Sequence, residues 1–251
     1  MNMNGQGAPA EESPIQEYGT LTPQQLLRLA RGFSRIFWGI PVSLLLFLDV
    51  LDIRLVHPVR LPTYVIGVLL VYWGFTAFQR AAPVDRRWAT LLRWGFFLLF
   101  MQIYFAPFVH WWRRYPASDY HLYNVIALLC CMMVTLLIIN RLSGIVADRL
   151  GDRTFRLESN LCGFSVVMLM IVPLSTLVSY SIWGVIRFDT SFYVELLHTH
   201  QQLTRWMNAL FLLPLTLTML IAWKAKERCL QALRMLAAMS IPALESNGEA
   251  G

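Results

Sequence analysis

The sequence predicts an all-α integral membrane protein, built as a bundle of about six transmembrane helices. Three observations predict this fold class. The chain of 251 residues is 57% hydrophobic, with a mean hydropathy of +0.51. Only 14% of the residues are charged, against roughly 25% in a soluble domain, so most of the surface is expected to contact lipid. The apolar runs are continuous rather than alternating, which favours helices over a β-barrel.

Six apolar stretches account for the predicted spans, because each is near the roughly 20 residues that cross a hydrocarbon core of about 30 Å. The stretches cover residues 36–56, 61–78, 90–109, 122–140, 161–186 and 203–223. The predicted transmembrane domain is therefore residues 36–224. Residues 1–19 and 242–251 are rich in Gly, Ala, Ser, Asn and Glu and are predicted to be disordered tails.

A short amphipathic helix is predicted before the first span, over residues 20–35. Thr22 and Gln25 match a capping box around Pro23, which is the usual start of a helix. Apolar residues then recur at helical spacing, with arginines beside them. A basic amphipathic segment suits the surface of an anionic leaflet. The predicted membrane-surface residues are Arg28, Arg31 and Arg35.

The distribution of Lys and Arg predicts the orientation. If the N-terminus is cytoplasmic, the inner segments hold 15 of these residues and the outer segments 6. This asymmetry places both termini in the cytoplasm. The same topology explains the net charge of +6, so no nucleic-acid partner is expected. The compact plan, without eukaryotic-type sorting signals, favours a bacterial inner membrane.

Signals outside the spans predict how the connecting helices end. The fourth helix is expected to run on by two turns and to stop at Gly151, with Ser159 or Asn160 capping the next helix. The last helix is expected to continue into the cytoplasm over residues 225–241, because apolar residues keep helical spacing there.

The four cysteines lack metal-binding spacing, and buried apolar packing is expected for all of them.

A weak internal similarity suggests three tandem helical hairpins with a period of roughly 65 residues. The first, third and fifth stretches open near a Gly-Phe pair and then meet Pro41, Pro107 and Pro173. Such repeats would be parallel, which disfavours the inverted-repeat plan of many transporters. Membrane topology and ordinary membrane composition also account for this pattern, so both interpretations stay open.

Histidines and carboxylates are the candidate chemical groups. All five histidines fall on the predicted outer side, where imidazole and carboxylate side chains suit a divalent metal or a proton relay. The metal-ligand candidates are His198, His200 and His57, and the catalytic candidates are Asp49, Asp52, His110 and His121. The competing interpretation is an interfacial belt of amphipathic side chains that anchors helix ends to headgroups.

The leading functional prediction is a non-catalytic subunit, scaffold or permease-like component. The sequence contains no G-x-S-x-G, P-loop, H-E-x-x-H or G-x-G-x-x-G motif, so an enzyme is the less favoured class.

The first alternative is a membrane-embedded enzyme or metal-binding protein with an outer-face site. The second is a proton-coupled transporter of small solutes that uses Asp49, since an intramembrane acid is costly. Expected partners are the bilayer, another membrane protein or a second copy; no cofactor is predicted beyond the divalent metal of the first alternative.

The metal interpretation yields a direct test. If the outer histidines bind a divalent ion, joint substitution of His198 and His200 by Ala should remove stoichiometric metal from the purified protein. Metal analysis by mass spectrometry measures this loss. Unchanged metal content and unchanged phenotype would rule the metal interpretation out.

Overall fold

The computed structural model describes residues 21–47, 64–81, 86–115, 118–188 and 212–238. Within these ranges all regular structure is α-helical. The helices are α1 (Pro23–Phe47), α2 (Tyr64–Arg80), α3 (Arg86–Arg114), α4 (Asp119–Arg149) and α5 (Arg153–Phe188). Residues 212–238 are also helical and are called α6. Both predicted tails fall outside the described residues.

Three described helical segments are long and apolar enough to cross a membrane: Arg86–Val109, Tyr120–Arg149 and Arg153–Val172. Val65–Arg80 is a shorter apolar helix. These segments support the predicted class of helical membrane protein. The number of six spans, the outer and inner sides, and the tandem repeat stay predictions.

Consecutive helices pack antiparallel. Phe33 of α1 meets Phe78 of α2 at 4.6 Å between ring centroids, and Gln102 of α3 bonds to Thr135 of α4. The bundle therefore has two ends. We call the end where α4 joins α5 (residues 149–153) the basic end, and the end where α3 joins α4 (residues 111–121) the aromatic end.

The backbones of α1 and α2 touch through four glycines. A Cβ on Gly32 would lie 3.0 Å from the carbonyl oxygen of Gly74, and a Cβ on Gly39 would lie 3.0 Å from that of Gly67. The two glycines on each helix are seven residues apart, which is two turns, so they lie on one face. Small residues of this kind allow the close approach that membrane helices use for packing.

The start of α1 confirms the capping box. The backbone N–H of Thr22 donates to Oε1 of Gln25 at 2.8 Å, and the N–H of Gln25 donates to Oγ1 of Thr22 at 3.3 Å. From Pro23 onward the predicted surface segment 20–35 lies on the same continuous helix as residues 36–47. Its apolar residues Leu26, Leu29 and Phe33 are buried in the bundle core.

The predicted membrane-surface arginines are exposed along α1. Arg28 donates to the carbonyl of Arg80 at 2.7 Å, and Arg35 donates to the carbonyl of Trp73 at 3.2 Å. Cations placed at the C-terminus of a helix satisfy its free carbonyls and its dipole. The Arg28 contact therefore stabilises the end of α2, whereas Arg35 contacts a carbonyl two turns before that end. A role of Arg28, Arg31 and Arg35 at a lipid surface stays a prediction.

The connection between α4 and α5 is tighter than predicted. Gly151 has φ of 70° and ends α4 as expected. The predicted cap at Ser159 or Asn160 is wrong, because α5 already begins at Arg153. Oδ1 of Asp152 accepts from the N–H of Phe155 at 2.9 Å, so Asp152 is the cap.

The helix α6 continues as far as residue 238, so the predicted helical conformation past Trp223 is confirmed, while the sixth span and the cytoplasmic position of residues 225–241 stay predictions. It packs on α1, where Phe37 and Trp223 have ring centroids 5.2 Å apart.

Among the cysteines, Cys162 and Cys229 are buried as expected, but Cys130 is exposed. Burial was therefore a wrong prediction for Cys130, whose side chain lies on the outside of α4.

The contact between α1 and α2 predicts opposite effects of two glycine substitutions. In Gly67→Ala the new Cβ would lie 2.6 Å from Cα of Ser43, so the helices must separate, at a cost of about 1–3 kcal/mol. In Gly144→Ala the nearest atom is 3.6 Å away, and better helix propensity should leave stability unchanged or raised by up to about 1 kcal/mol. Denaturant unfolding of the purified protein in detergent, followed by tryptophan fluorescence, measures both. Equal stabilities of the two variants would contradict this contact.

Candidate functional site

Most of the predicted site residues lie outside the part of the chain that the structure describes. They are Asp49, Asp52, His57, His198 and His200. Of the remaining two, His110 lies in α3 and His121 lies in the first turn of α4. Both therefore belong to the aromatic end, as an interfacial position would require.

His121 lies within a cluster of aromatic rings. Its ring centroid is 5.6 Å from that of Tyr120, 5.9 Å from that of Trp111 and 6.2 Å from that of Phe108. Its Nδ1 is buried without a hydrogen-bond partner. The described residues contain no group of three His, Cys, Asp or Glu side chains that could hold a metal ion.

A second set of polar side chains lies where α4, α5 and α6 meet. Nδ2 of Asn140 donates to Oγ1 of Thr218 at 3.1 Å, and Oγ of Ser159 donates to the carbonyl of Asn140 at 2.6 Å. All three side chains are buried. We call these residues, together with the buried Ser143, the polar junction. It joins three helices through one asparagine.

The amide orientation of Asn140 follows from the hydrogen bonds around it. The hydroxyl of Thr218 donates to the carbonyl of Pro214 at 2.9 Å, so Thr218 can only accept from Asn140, as the NH₂ group requires. Oδ1 of Asn140 is left buried without a partner. An unpaired buried acceptor is costly, and one donor, such as a water molecule, would satisfy it.

Charged residues surround the junction towards the basic end and link the same three helices. Arg156 pairs with Asp148, Lys224 with Glu158 at 2.8 Å, and Arg228 with Asp152 at 3.3 Å. We call residues 141–160 and 224–238 the head. Because most of these side chains are roughly half exposed, each pair contributes about 0–1 kcal/mol. The pairs fix the relative register of the helices more than they stabilise the fold.

The apolar interior of the head supplies the stability that the ion pairs do not. Leu142, Ala147, Phe155 and Cys229 are almost fully buried there. Burial raises the pKa of the Cys229 thiol to about 12. The thiol therefore stays neutral at physiological pH and behaves as a small apolar side chain.

A cleft of about 550 Å³ opens on the surface of the head. Its lining combines apolar side chains with polar and charged ones. The lining residues are Leu150, Gly151, Asp152, Arg153, Thr154, Arg228, Gln231, Ala232 and Met235.

A smaller cavity of about 40 Å³ lies in the middle of the bundle, beside Ser43, Gln102 and Thr135. Nε2 of Gln102 donates to Oγ1 of Thr135 at 2.7 Å, as expected for an interhelical hydrogen bond. The hydroxyl of Ser43 donates to the carbonyl of Gly39 at 2.8 Å. The cavity has room for one or two water molecules and for no larger ligand.

Sequence reasoning missed the polar junction and the cleft. Asn140 was the last residue of the predicted fourth span, and Ser159 was interpreted as a helix cap. The available signal was a neutral polar side chain at the end of an apolar run, directly before Arg141. That position alone does not reveal which helix the side chain faces, because the partner Thr218 is 78 residues further along the chain.

Comparison with known proteins gives no identification: no family model, curated protein or solved structure matches the chain. The class defined by the fold is therefore a helical membrane protein, and its function has to be argued from the head, the polar junction and the aromatic end.

The polar junction predicts different effects for two threonines of α6. In Thr218→Val the hydroxyl that holds Asn140 is lost, and stability should fall by about 0.6–1.7 kcal/mol, the range for interhelical hydrogen bonds in membranes. Thr216 bonds only within its own helix, to Leu213 at 2.9 Å, so Thr216→Val should leave stability unchanged. Unfolding in detergent measures both variants, and a double-mutant cycle with Asn140→Ala isolates the coupling. Zero coupling energy would show that the bond does not contribute.

Proposed function

We propose that the chain is a polytopic inner-membrane protein of six spans that acts as a non-catalytic subunit or scaffold. The observation that carries this proposal is the head, in which α4, α5 and α6 form one packed unit at the basic end. A packed helical unit beyond the spans predicted from the sequence (residues 122–140, 161–186 and 203–223) presents a rigid surface, and rigid surfaces bind partners with little loss of conformational entropy.

The cleft supports a protein partner. Met235 offers an exposed apolar contact and Gln231 an exposed hydrogen-bonding group, while the buried Leu150 and Ala232 form the floor of the cleft. Interfaces combine such an apolar centre with a polar rim. The excess of Lys and Arg on this side supports a cytoplasmic position of the head, and we propose a cytoplasmic partner or the cytoplasmic part of another membrane protein.

One observation favours the alternative of a metal-binding protein or enzyme. Nδ1 of His121 is buried without a partner in the aromatic cluster, and buried polar atoms are normally paired. A ligand or metal held with help from residues outside the described ranges would pair it. The transporter alternative depends on Asp49, which the structure does not describe, and the central cavity of about 40 Å³ is too small for a solute.

Purification of the full-length protein in a mild detergent tests the leading proposal. We expect a partner at constant stoichiometry, whose recovery falls at least fivefold when Gln231 and Met235 in the cleft are both changed to Ala. Arg234 is exposed on the same helix but does not line the cleft, so Arg234→Ala is the matched control and should retain the partner.

Metal analysis of the same sample separates the alternatives. A partner-free protein with stoichiometric metal that is lost in His121→Ala would replace the subunit proposal by the metal-site proposal. A partner bound equally well by the cleft variant and the control would show that the cleft is not the contact surface.

A further inference from the structure

Helix α5 has a buried face and an exposed face up to about residue 170, and from there to residue 183 every side chain that the structure describes is exposed. One face lies inside the bundle, where Phe155, Ser159, Cys162 and Val166 are buried at steps of four, three and four residues. The other face points away from the bundle and is exposed along its whole length. We call this exposed face the stripe. It consists of Thr154, Leu157, Leu161, Phe164, Met168, Ile171, Ser175, Val178 and Ile182.

The stripe has the periodicity of a helix–helix interface. Its members follow one another at alternating steps of three and four residues from position 154 to position 182. This repeat of 3.5 residues keeps one seam of a helix against a second helix in a left-handed supercoil. The stripe runs for roughly 42 Å along the helix at about 1.5 Å per residue, which is longer than the roughly 30 Å thickness of the hydrocarbon core.

Lipid does not account for the end of the stripe that lies in the head. Leu157 is 70% exposed and stands between the charged residues Arg156 and Glu158, before the predicted fifth span over residues 161–186. In that topology Leu157 lies among headgroups and charges, so covering it by another protein surface is favourable.

We propose that the stripe binds the same stripe of a second copy of this chain, in a parallel two-helix contact. This inference rests on the proposed multi-pass insertion, because copies inserted in one orientation can only pair their α5 helices in parallel. A two-fold axis along the membrane normal then places each stripe residue opposite itself, which gives a closed, isologous interface.

Charge complementarity supports the parallel register. In a parallel pair, a residue that directly precedes a stripe residue on one helix approaches, on the other helix, the residue five positions further along the sequence. Arg153 and Glu158 stand at these two flanking positions. Arg153 is exposed and makes no ion pair with any residue in the described ranges. Glu158 binds Lys224 through Oε2, so its Oε1 can accept from Arg153 of the second copy.

The middle of the stripe permits close approach. Ser175 is the small residue of the seam, and small residues bring membrane helices together. Its hydroxyl donates to the carbonyl of Val172 at 2.9 Å, so packing against a second helix leaves no donor unsatisfied. Close packing matters here because lipid competes with apolar contacts inside the membrane.

Disulfide cross-linking of the full-length protein in proteoliposomes tests the contact. The exposed Cys130 and its neighbour Cys131 are first changed to Ala, and the buried Cys162 and Cys229 are kept. In this background Leu161→Cys should form a dimer under mild oxidation. Tyr180→Cys is the matched control, because Tyr180 is exposed on the opposite side of the same helix and should stay monomeric.

Charge reversal tests the register. Arg153→Glu should raise the dimer dissociation constant about tenfold, because two symmetric pairs become repulsive, and Glu158→Arg should do the same. The double variant should restore dimerisation. Lys224→Ala removes only the intrachain pair of Glu158 and should leave the dissociation constant unchanged. Energy transfer between labelled copies, measured over a dilution series in lipid, gives these constants.

Equal cross-linking at positions 161 and 180 would overturn the proposal, and so would a protein that stays monomeric at every density in the bilayer. In the second case lipid covers the stripe. Cross-linking of position 161 to a different protein in native membranes, without a dimer, would assign the stripe to a heterologous partner and also overturn it. A monomer that is inserted and still recovers a partner through the cleft would leave the proposed function standing while this inference fails.

Discussion

Much of the arrangement of the bundle depends on the close approach of α1 and α2. The glycines also leave room for aromatic rings. The ring of Phe78 of α2 lies over Gly32 of α1, where an added Cβ would meet it. Phe75 lies against Gly95 of α3, where an added Cβ would meet its ring. Phe78 also contacts Trp88 of α3 at 5.7 Å between centroids. The packing of α1, α2 and α3 therefore depends on glycines that face aromatic or backbone atoms of the neighbouring helix.

Hydrogen bonds between neutral side chains fix the rest of the bundle. Gln102 ties α3 to α4, and Asn140 ties α4 to both α5 and α6. Among the described residues, the ion pairs of Arg156 with Asp148, Lys224 with Glu158 and Arg228 with Asp152 lie in the head, where water and headgroups lower the cost of charge. The proposed partner contact is placed at the same end of the bundle.

The sequence predicts the elements whose signals are local. The capping box of Thr22 and Gln25, the stop at Gly151 and the helical continuation past Trp223 are each encoded within a few residues, and the structure confirms them. The wrong cap at Ser159 has a physical reason. Asp152 was available one residue after Gly151, and a tight turn satisfied the start of α5 before Ser159 was reached.

The candidate site was less predictable because its signals are not local. The pairing of Asn140 with Thr218 and the burial of Phe33 against α2 depend on which helix faces of distant segments meet. Composition and spacing identify an apolar helix but not the side on which its neighbour lies. The histidines and acids that sequence reasoning selected lie mostly beyond the described ranges, so their role stays a prediction, whereas the head emerged only from the packing.

The antiparallel order of the bundle also has a consequence for how the protein is made. From α1 to α5 each helix packs on the one before it, so most contacts join segments that are close along the chain. Such a topology folds quickly, and each hairpin can pack as it leaves the ribosome. Among the described helices, α6 contacts partners that are distant along the chain, α1 through Trp223 and α4 through Thr218. The described bundle can therefore close only after α6 has been synthesised, well after the hairpins before it.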